Sequence, residues 1–200
     1  LEMKSILTLF IFIAALLTST FSHAQNAVDK LNVPGPIMIG KKSHALTWTA
    51  NPSAGFYKQE YIPAGDNVNK FKSMVMLDLS LGNFILKDIV GAKIAELKKM
   101  KATNPLVNYE MFQKNGEYLL DFLLSANAAD GKTVDIVERN VYRYKTFTDK
   151  SGKKGILLFA VSVRSYGKDI DTFLKALKTG KAALLNEVAQ FIIPAVTISK

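Results

Sequence analysis

The sequence predicts an α+β fold, in which two main helices pack on an antiparallel sheet that includes a four-stranded meander. Two observations carry this prediction. Residues 107–166 contain four strand-like runs separated by glycine-containing turns. Apolar residues at helical spacing stand before and after that region, around residues 83–103 and 169–190.

The first 24 residues have the pattern of a secretory signal peptide. Lys4 precedes an apolar run over residues 6–17, and Ser22 and Ala24 place small side chains before a cleavage site at Gln25. The run is too short to anchor a chain stably in a bilayer, and no later stretch reaches spanning length. We therefore expect a periplasmic or secreted protein with no transmembrane segment after cleavage.

Residue composition removes several kinds of chemistry. The chain has no cysteine and two histidines, of which only His44 follows the predicted signal peptide. This leaves no thiolate or multi-histidine metal site, and a Ser-His-Asp triad would depend on His44 alone. We expect no metal and no cofactor. The net charge is +9 and comes mainly from lysine, which favours a solubilising surface or contact with anionic envelope polymers.

The first half of the domain reads as strands followed by one helix. Residues 25–35 are mostly polar, with prolines at positions 34 and 36, and predict a flexible lead-in, so the single domain is placed at residues 36–200. Alternating patterns predict strands over residues 36–50 and 56–62, and an apolar run predicts a buried strand at 74–79. Asn83 is the expected N-cap of the first helix, which Asn104 and Pro105 end.

The second half reads as hairpins followed by a long helix. The segments QKNGE, AADGK and DKSGK each match a type I turn followed by a left-handed glycine. They predict antiparallel strands at residues 107–113, 117–127, 133–146 and 155–165. A helix is expected from about Asp169 to Gln190, and FIIPAVTI is expected to form a short edge strand.

The turn type also predicts the partners of the three arginines, Arg139, Arg143 and Arg164. Counting from the turns places a carboxylate directly opposite each of them. The predicted pairs are Glu117 with Arg143, Asp121 with Arg139, and Glu138 with Arg164. The arginines and tyrosines of ERNVYRYKTF are therefore interpreted as structural, and we expect no nucleic-acid partner.

Four aromatic residues near the start of the domain form a predicted ligand-binding set. Trp48, Tyr57, Tyr61 and Phe71 lie in the first two long strands and in the turn that follows. They suit a pocket for an apolar or glycan ligand, although such residues also belong to ordinary cores. Ligand chemistry stays open between an apolar and an anionic envelope ligand.

The segment YKQEYIPAGDNVNKFKSM, residues 57–74, resembles a pattern of uncharacterised secreted bacterial proteins. The order of elements is similar to the PsbP-like α/β/α sandwich, an antiparallel sheet with helices on both sides. Phe71 stands where that pattern often has Trp. The resemblance implies a non-catalytic binding or accessory module and carries over no functional residue.

Three functions follow as hypotheses. The first is a non-enzymatic binding or accessory protein of the envelope that uses a sheet face or the cleft near residues 57–71. The second is a hydrolase of an envelope polymer that uses two carboxylates, for which Glu117 and Asp121 are the best placed. The third is a binder of anionic membrane or polysaccharide driven by lysines.

Overall fold

A computed structural model of the chain describes residues 27–198, so the predicted signal peptide lies outside the described residues. Within that range no helix combines the length and the apolar character that crossing a bilayer requires. The strands are β1 (Ile37–Ile39), β2 (Lys42–Ser53), β3 (Phe56–Ile62), β4 (Ser73–Leu81), β5 (Asn108–Lys114), β6 (Glu117–Asn127), β7 (Val134–Thr148) and β8 (Lys154–Tyr166). The helices are α1 (Leu86–Lys101) and α2 (Ile170–Gln190).

All eight strands belong to one curled antiparallel sheet, in the order β1-β2-β3-β4-β8-β7-β6-β5. The predicted fold class, built around a four-stranded meander, is therefore wrong, although the chain does have two helices. The sheet is larger because β8 pairs with β4 along nine residues and joins the early strands to the later ones. Long twisted strands then curl the sheet into a half-barrel.

Each helix covers one face of the sheet. Helix α1 packs Leu86, Val90 and Leu97 against Leu120 and Phe122 of β6, within one apolar cluster. Helix α2 contributes to the cluster on the opposite face, whose members include Val188, Val141, Phe159 and Val161. Because side chains alternate along a strand, the even-numbered residues of β6, β7 and β8 face α1 and the odd-numbered residues face α2.

The predicted register holds at one turn and fails at another. Between β7 and β8, Glu138 lies directly opposite Arg164, as DKSGK predicts. Between β6 and β7, Leu119 lies opposite Arg143 and Leu123 opposite Arg139, a shift of two residues from the prediction. The carboxylate of Asp130 accepts hydrogen bonds from the backbone N–H groups of Lys132 and Thr133, which lengthens that turn.

Three predicted boundaries also need correction. Helix α1 begins at Leu86 after an extended Ile85, so Asn83 is not its N-cap. The last residues of the predicted flexible lead-in are packed, because Leu31 and Val33 are buried in the core on the α2 side. The predicted final edge strand is not a strand, and residues 191–198 instead lie as irregular chain against that same core.

Candidate functional site

A row of side chains crosses five strands on the α1 face of the sheet. Successive strand partners align Trp48, Glu60, Met76, Ala160 and Tyr142, from β2 through β3, β4 and β8 to β7. We call these five residues the central row. Trp48 is 38% exposed, and Glu60, Met76 and Tyr142 are half-buried.

The central row stays partly open because helix α1 and the β3–β4 loop cover only parts of this sheet face. Helix α1 packs over the end formed by β5 to β8. At the other side, Phe71 and Val68 of the β3–β4 loop pack on Ile62 and Met74. Strand β1 pairs only with residues 42–44 of β2, so no strand of residues 27–198 pairs with the outer side of β2 at Trp48. The row therefore opens at the sheet edge beside the indole ring.

Glu60 is the group of the central row whose pKa is shifted into the neutral range. Burial raises its pKa to about 7, because the ionised form loses hydration. Lys58 and Arg164 oppose this shift, whereas Asp78 and Glu138 reinforce it. A half-buried carboxylate that changes charge near neutral pH is a functional-site candidate.

A buried ion pair borders the row on one side. Lys58 Nζ donates to Oδ2 of Asp78 at 2.5 Å, and the two residues are only 5% and 7% exposed. The second oxygen, Oδ1 of Asp78, is buried and has no hydrogen-bond partner among the described residues. Burial raises the pKa of Asp78, and the lysine opposes that rise. An orphaned buried acceptor is rare in native proteins, so this oxygen is a candidate acceptor for a donor from a water molecule or a ligand.

A hydrogen-bonded chain borders the row on the other side. Ser162 donates to Oδ1 of Asn140 at 2.5 Å, and Nδ2 of Asn140 donates to Oε1 of Glu138 at 2.9 Å. Arg164 pairs with the other oxygen of Glu138, and its guanidinium lies 4.1 Å from the ring centroid of Phe71. These hydrogen bonds and the contact with Phe71 hold the side chains of this border in place.

The four predicted ligand-binding aromatics do not line one pocket. Trp48 lies in the central row, and Phe71 is a buried residue of the β3–β4 loop on the same face. Tyr57 and Tyr61 point to the opposite face, towards α2. Tyr61 is fully buried, and its hydroxyl donates to the carbonyl oxygen of Val33 at 2.6 Å. Its role is therefore to hold the N-terminal segment.

All three arginines have carboxylate partners. Arg139 contacts both oxygens of Asp121, at 3.0 and 2.9 Å, and both residues are buried. Arg143 donates to Glu117 at 2.6 Å. These two pairs are diagonal across β6 and β7, because a shift of two residues keeps every side chain on its face. Glu117 and Asp121 are thus engaged and lie on the α2 face, away from the central row.

His44 does not form a triad. It is fully buried, and its Nε2 lies 2.8 Å from the hydroxyl oxygen of Ser73. Its Nδ1 faces the carbonyl oxygen of Lys42 at 3.1 Å instead of a carboxylate, so Nδ1 carries the proton and Ser73 donates to Nε2. Burial lowers the pKa of His44. A hydroxyl enclosed with its partner in this way serves the packing between β2 and β4.

Other features of the described residues offer little chemistry. A depression of about 540 Å³ lies between the N-terminal segment and β2, lined mainly by small and apolar residues such as Pro34, Gly35 and Leu46. Across residues 27–198, no group of three or more His, Asp or Glu side chains could hold a metal ion. The central row with its two polar borders is the best candidate for function.

Sequence reasoning missed Lys58, Glu60 and Asp78. The predicted ligand-binding set instead included the two tyrosines of YKQEYI, which lie on the other face of β3. The available signal was the polar run Lys58-Gln59-Glu60 inside a strand, because period-two alternation places Lys58 and Glu60 together on one face. Their pairing with Met76 and Asp78 depends on the β3–β4 register, which the loop over residues 63–72 conceals.

The fold and the site define a class: a curled antiparallel sheet with one helix on each face and a polar, partly open row on one face. A family model matches residues 31–193, well over half of the chain, and this protein belongs to that uncharacterised family. The match begins at Leu31, where the structure places the first buried core residue. No curated protein matches the sequence.

Proposed function

We propose that this protein is a non-enzymatic binding or accessory protein of the cell envelope, and that the central row is its contact surface. One observation carries the proposal. On a sheet face that is otherwise packed, a carboxylate with a raised pKa, Glu60, adjoins the only tryptophan of the chain, Trp48. Burying a carboxylate beside a ring costs stability, which function explains better than packing does.

The arrangement of layers supports a binding role. The PsbP-like sandwich implied by the sequence has helices on both sides of an antiparallel sheet, and α1 and α2 cover opposite faces here. The resemblance implies contact with a ligand or a partner in place of catalysis. The signal-peptide pattern over residues 1–24 supports a periplasmic or secreted location for that contact.

Hydrolysis is the less supported function. The best-placed carboxylates of the sequence, Glu117 and Asp121, form ion pairs with arginine, as Glu138 also does. A general acid or a nucleophile has to reach substrate, and these three groups are held in structural pairs. Glu60 is the carboxylate of the central row that a hydrolase would use, and this gives the test its second readout.

Trp48 makes the test direct, because the fluorescence of a single tryptophan reports on the row itself. Soluble fractions of a bacterial envelope extract are titrated into the protein, and their polymer chain lengths are measured before and after. We expect a saturable change in fluorescence without cleavage. Met76→Ala should weaken the response, whereas Met111→Ala, an exposed methionine of edge strand β5, should leave it unchanged.

Two results would contradict the proposal. If no fraction changes the Trp48 signal, the row is not a contact surface. If a polymer is shortened by the wild-type protein and not by Glu60→Gln, the protein is a hydrolase.

A further inference from the structure

We propose that the central row binds an organic ammonium group, which lies against the indole ring of Trp48 and pairs with the carboxylate of Glu60. This inference rests on the proposed function, because it names the ligand class for the same surface. It also differs from the apolar and anionic ligands that the overall composition suggests.

Among the described residues, the charges around the row leave one acid, Glu60, outside the ion pairs. Lys58 pairs with Asp78 along one border, and Arg164 pairs with Glu138 along the other. These four charges cancel, and Glu60 is the fifth charged group of the cluster. When Glu60 is ionised, the site has a local charge of minus one within a chain of net charge +9. A cation therefore complements the site, although an anion would suit the chain as a whole.

The ring beside Glu60 points to the same ligand. Trp48 and Glu60 are direct partners on β2 and β3, and side chains in such positions lie about 4.5–5.5 Å apart at Cβ. Tryptophan is the best aromatic partner for a cation over its face. An exposed indole next to a carboxylate thus offers an ammonium group two attractive contacts at once.

The hydrogen-bonding inventory favours a donor over an acceptor. The ionised Glu60 carboxylate accepts hydrogen bonds and donates none. Oδ1 of Asp78, one strand further in, is a buried acceptor without a partner among the described residues. A primary ammonium brings three N–H donors. Met76, which is half-buried, continues the row behind Glu60 and offers an apolar contact for an alkyl chain.

Three probes of equal chain length separate the ligand classes. Cadaverine carries an ammonium group at each end of five carbons, 1,5-pentanediol is its neutral counterpart, and glutarate is its anionic counterpart. Each is titrated while Trp48 fluorescence and backbone NMR shifts are recorded. We expect saturable binding of cadaverine, with shifts centred on residues 48, 60 and 76, and no saturation with the other two probes.

The variants are matched by charge. Glu60→Gln removes the carboxylate and should weaken cadaverine binding by about tenfold or more. Glu110→Gln removes an exposed carboxylate of β5 and should change nothing. Circular dichroism checks that both variants are folded. Binding should also strengthen from pH 6 to pH 8, as Glu60 loses its proton among Lys58, Asp78, Glu138 and Arg164.

Each alternative outcome overturns the inference. Equal binding of pentanediol makes the row an apolar or hydroxyl site, and preferred binding of glutarate makes it an anion site. Cadaverine binding that Glu60→Gln leaves intact is non-specific, and no response to any probe excludes a simple ammonium site. If envelope fractions still change the Trp48 signal in those cases, the proposed function stands and only the ligand class is wrong.

Discussion

At the scale of single residues, Glu60 and Asp78 are two carboxyl groups whose burial lowers the stability of the fold when they are ionised. Both carboxyl groups have raised pKa values because burial removes water from the ionised form. Asp78 has Lys58 as a partner, whereas Glu60 has only more distant compensation. Because Glu60 destabilises the fold and lies in the partly open central row, we expect its role to be in binding.

Replacement of Glu60 by glutamine should stabilise the protein at high pH. The pKa of Glu60 is raised from 4.5 to about 7, so the folded state holds its proton more tightly than the unfolded state does. Stability therefore falls as the pH rises through that window. Glu60→Gln should gain about 1–3 kcal/mol at pH 8 and almost nothing at pH 4.

Urea unfolding at the two pH values measures this difference, with Glu110→Gln as the exposed control. A loss of stability at pH 8 in Glu60→Gln would show that Glu60 is a structural residue.

The buried pair of Asp121 and Arg139 has the opposite character, because each charge is matched by the other. Arg139 also donates to the carbonyl oxygen of Lys181 in α2 at 2.7 Å. Arg139→Met leaves the buried Asp121 charge with only Lys181 Nζ, 3.8 Å away, as an ion-pair partner, and should cost about 3 kcal/mol. The double variant Asp121→Leu with Arg139→Met should recover much of that loss, which thermal unfolding will measure. Simple additivity of the two changes would contradict this view of the pair.

At the scale of elements, strand β3 has two roles on its two faces. Lys58 and Glu60 lie on the face of the central row, whereas Gln59 and Tyr61 lie on the other face and bind the N-terminal segment. Oε1 of Gln59 accepts hydrogen bonds from the backbone N–H groups of Lys30 and Leu31. One short strand therefore couples the candidate site to the packing of residues 29–33.

Removal of the Tyr61 hydroxyl should release that segment. Tyr61→Phe loses the bond to Val33 and leaves the carbonyl oxygen of Val33 with only a 3.3 Å contact from Gln59. We expect a loss of about 1–3 kcal/mol and faster hydrogen exchange in residues 29–35. Tyr57→Phe, a change on the same face of the same strand, is the control. Equal effects of the two variants would mean that the hydroxyl of Tyr61 does not hold the segment.

At the scale of the whole molecule, the contact between β4 and β8 makes one sheet of two hairpin systems. Gly155 lies at the end of that contact, opposite Leu81. A Cβ atom at Gly155 would lie 2.3 Å from the carbonyl oxygen of Ser80, which is closer than any side chain tolerates. The backbones of β4 and β8 can therefore approach at this point only because residue 155 is glycine.

Gly155→Ala should weaken the junction of the two halves. Since backbone atoms must shift to admit the methyl group, we expect a loss of about 1–3 kcal/mol by urea unfolding. Gly180→Ala is the matched control, because a Cβ atom there meets nothing within 4 Å in helix α2. That change should be neutral or stabilising. A neutral Gly155→Ala would show that the strands can separate at this end without cost.

The net charge of +9 predicts a different salt dependence for adsorption to anionic surfaces than for binding at the central row. Adsorption to anionic phosphatidylglycerol vesicles through exposed lysines should fall steeply from low to moderate salt. The response of Trp48 to cadaverine should change less, because half-buried charges are screened less than exposed ones. Vesicle sedimentation and fluorescence at matched salt concentrations compare the two. Vesicle binding that ignores salt would exclude the lysine-driven hypothesis.

The register of the hairpins shows how far sequence reasoning reaches. DKSGK fixed the pairing of Glu138 with Arg164, because that turn follows its local pattern. AADGK did not fix the next pairing, because the side chain of Asp130 binds two backbone N–H groups and lengthens the loop. Arg139 and Arg143 still pair with Asp121 and Glu117, since a shift of two residues leaves every side chain on the same face of the sheet.

Sequence by itself determined the features that depend on neighbours along the chain. These are the lack of cysteine chemistry, the strand segments up to residue 166, helix α2 and the face on which each arginine lies. Only the tertiary structure decided that β8 pairs with β4, that Leu31 enters the core, and that Trp48, Glu60 and Met76 align across three strands. Long-range pairing selects these contacts, and the local alternation of polar and apolar residues is the same for many pairings.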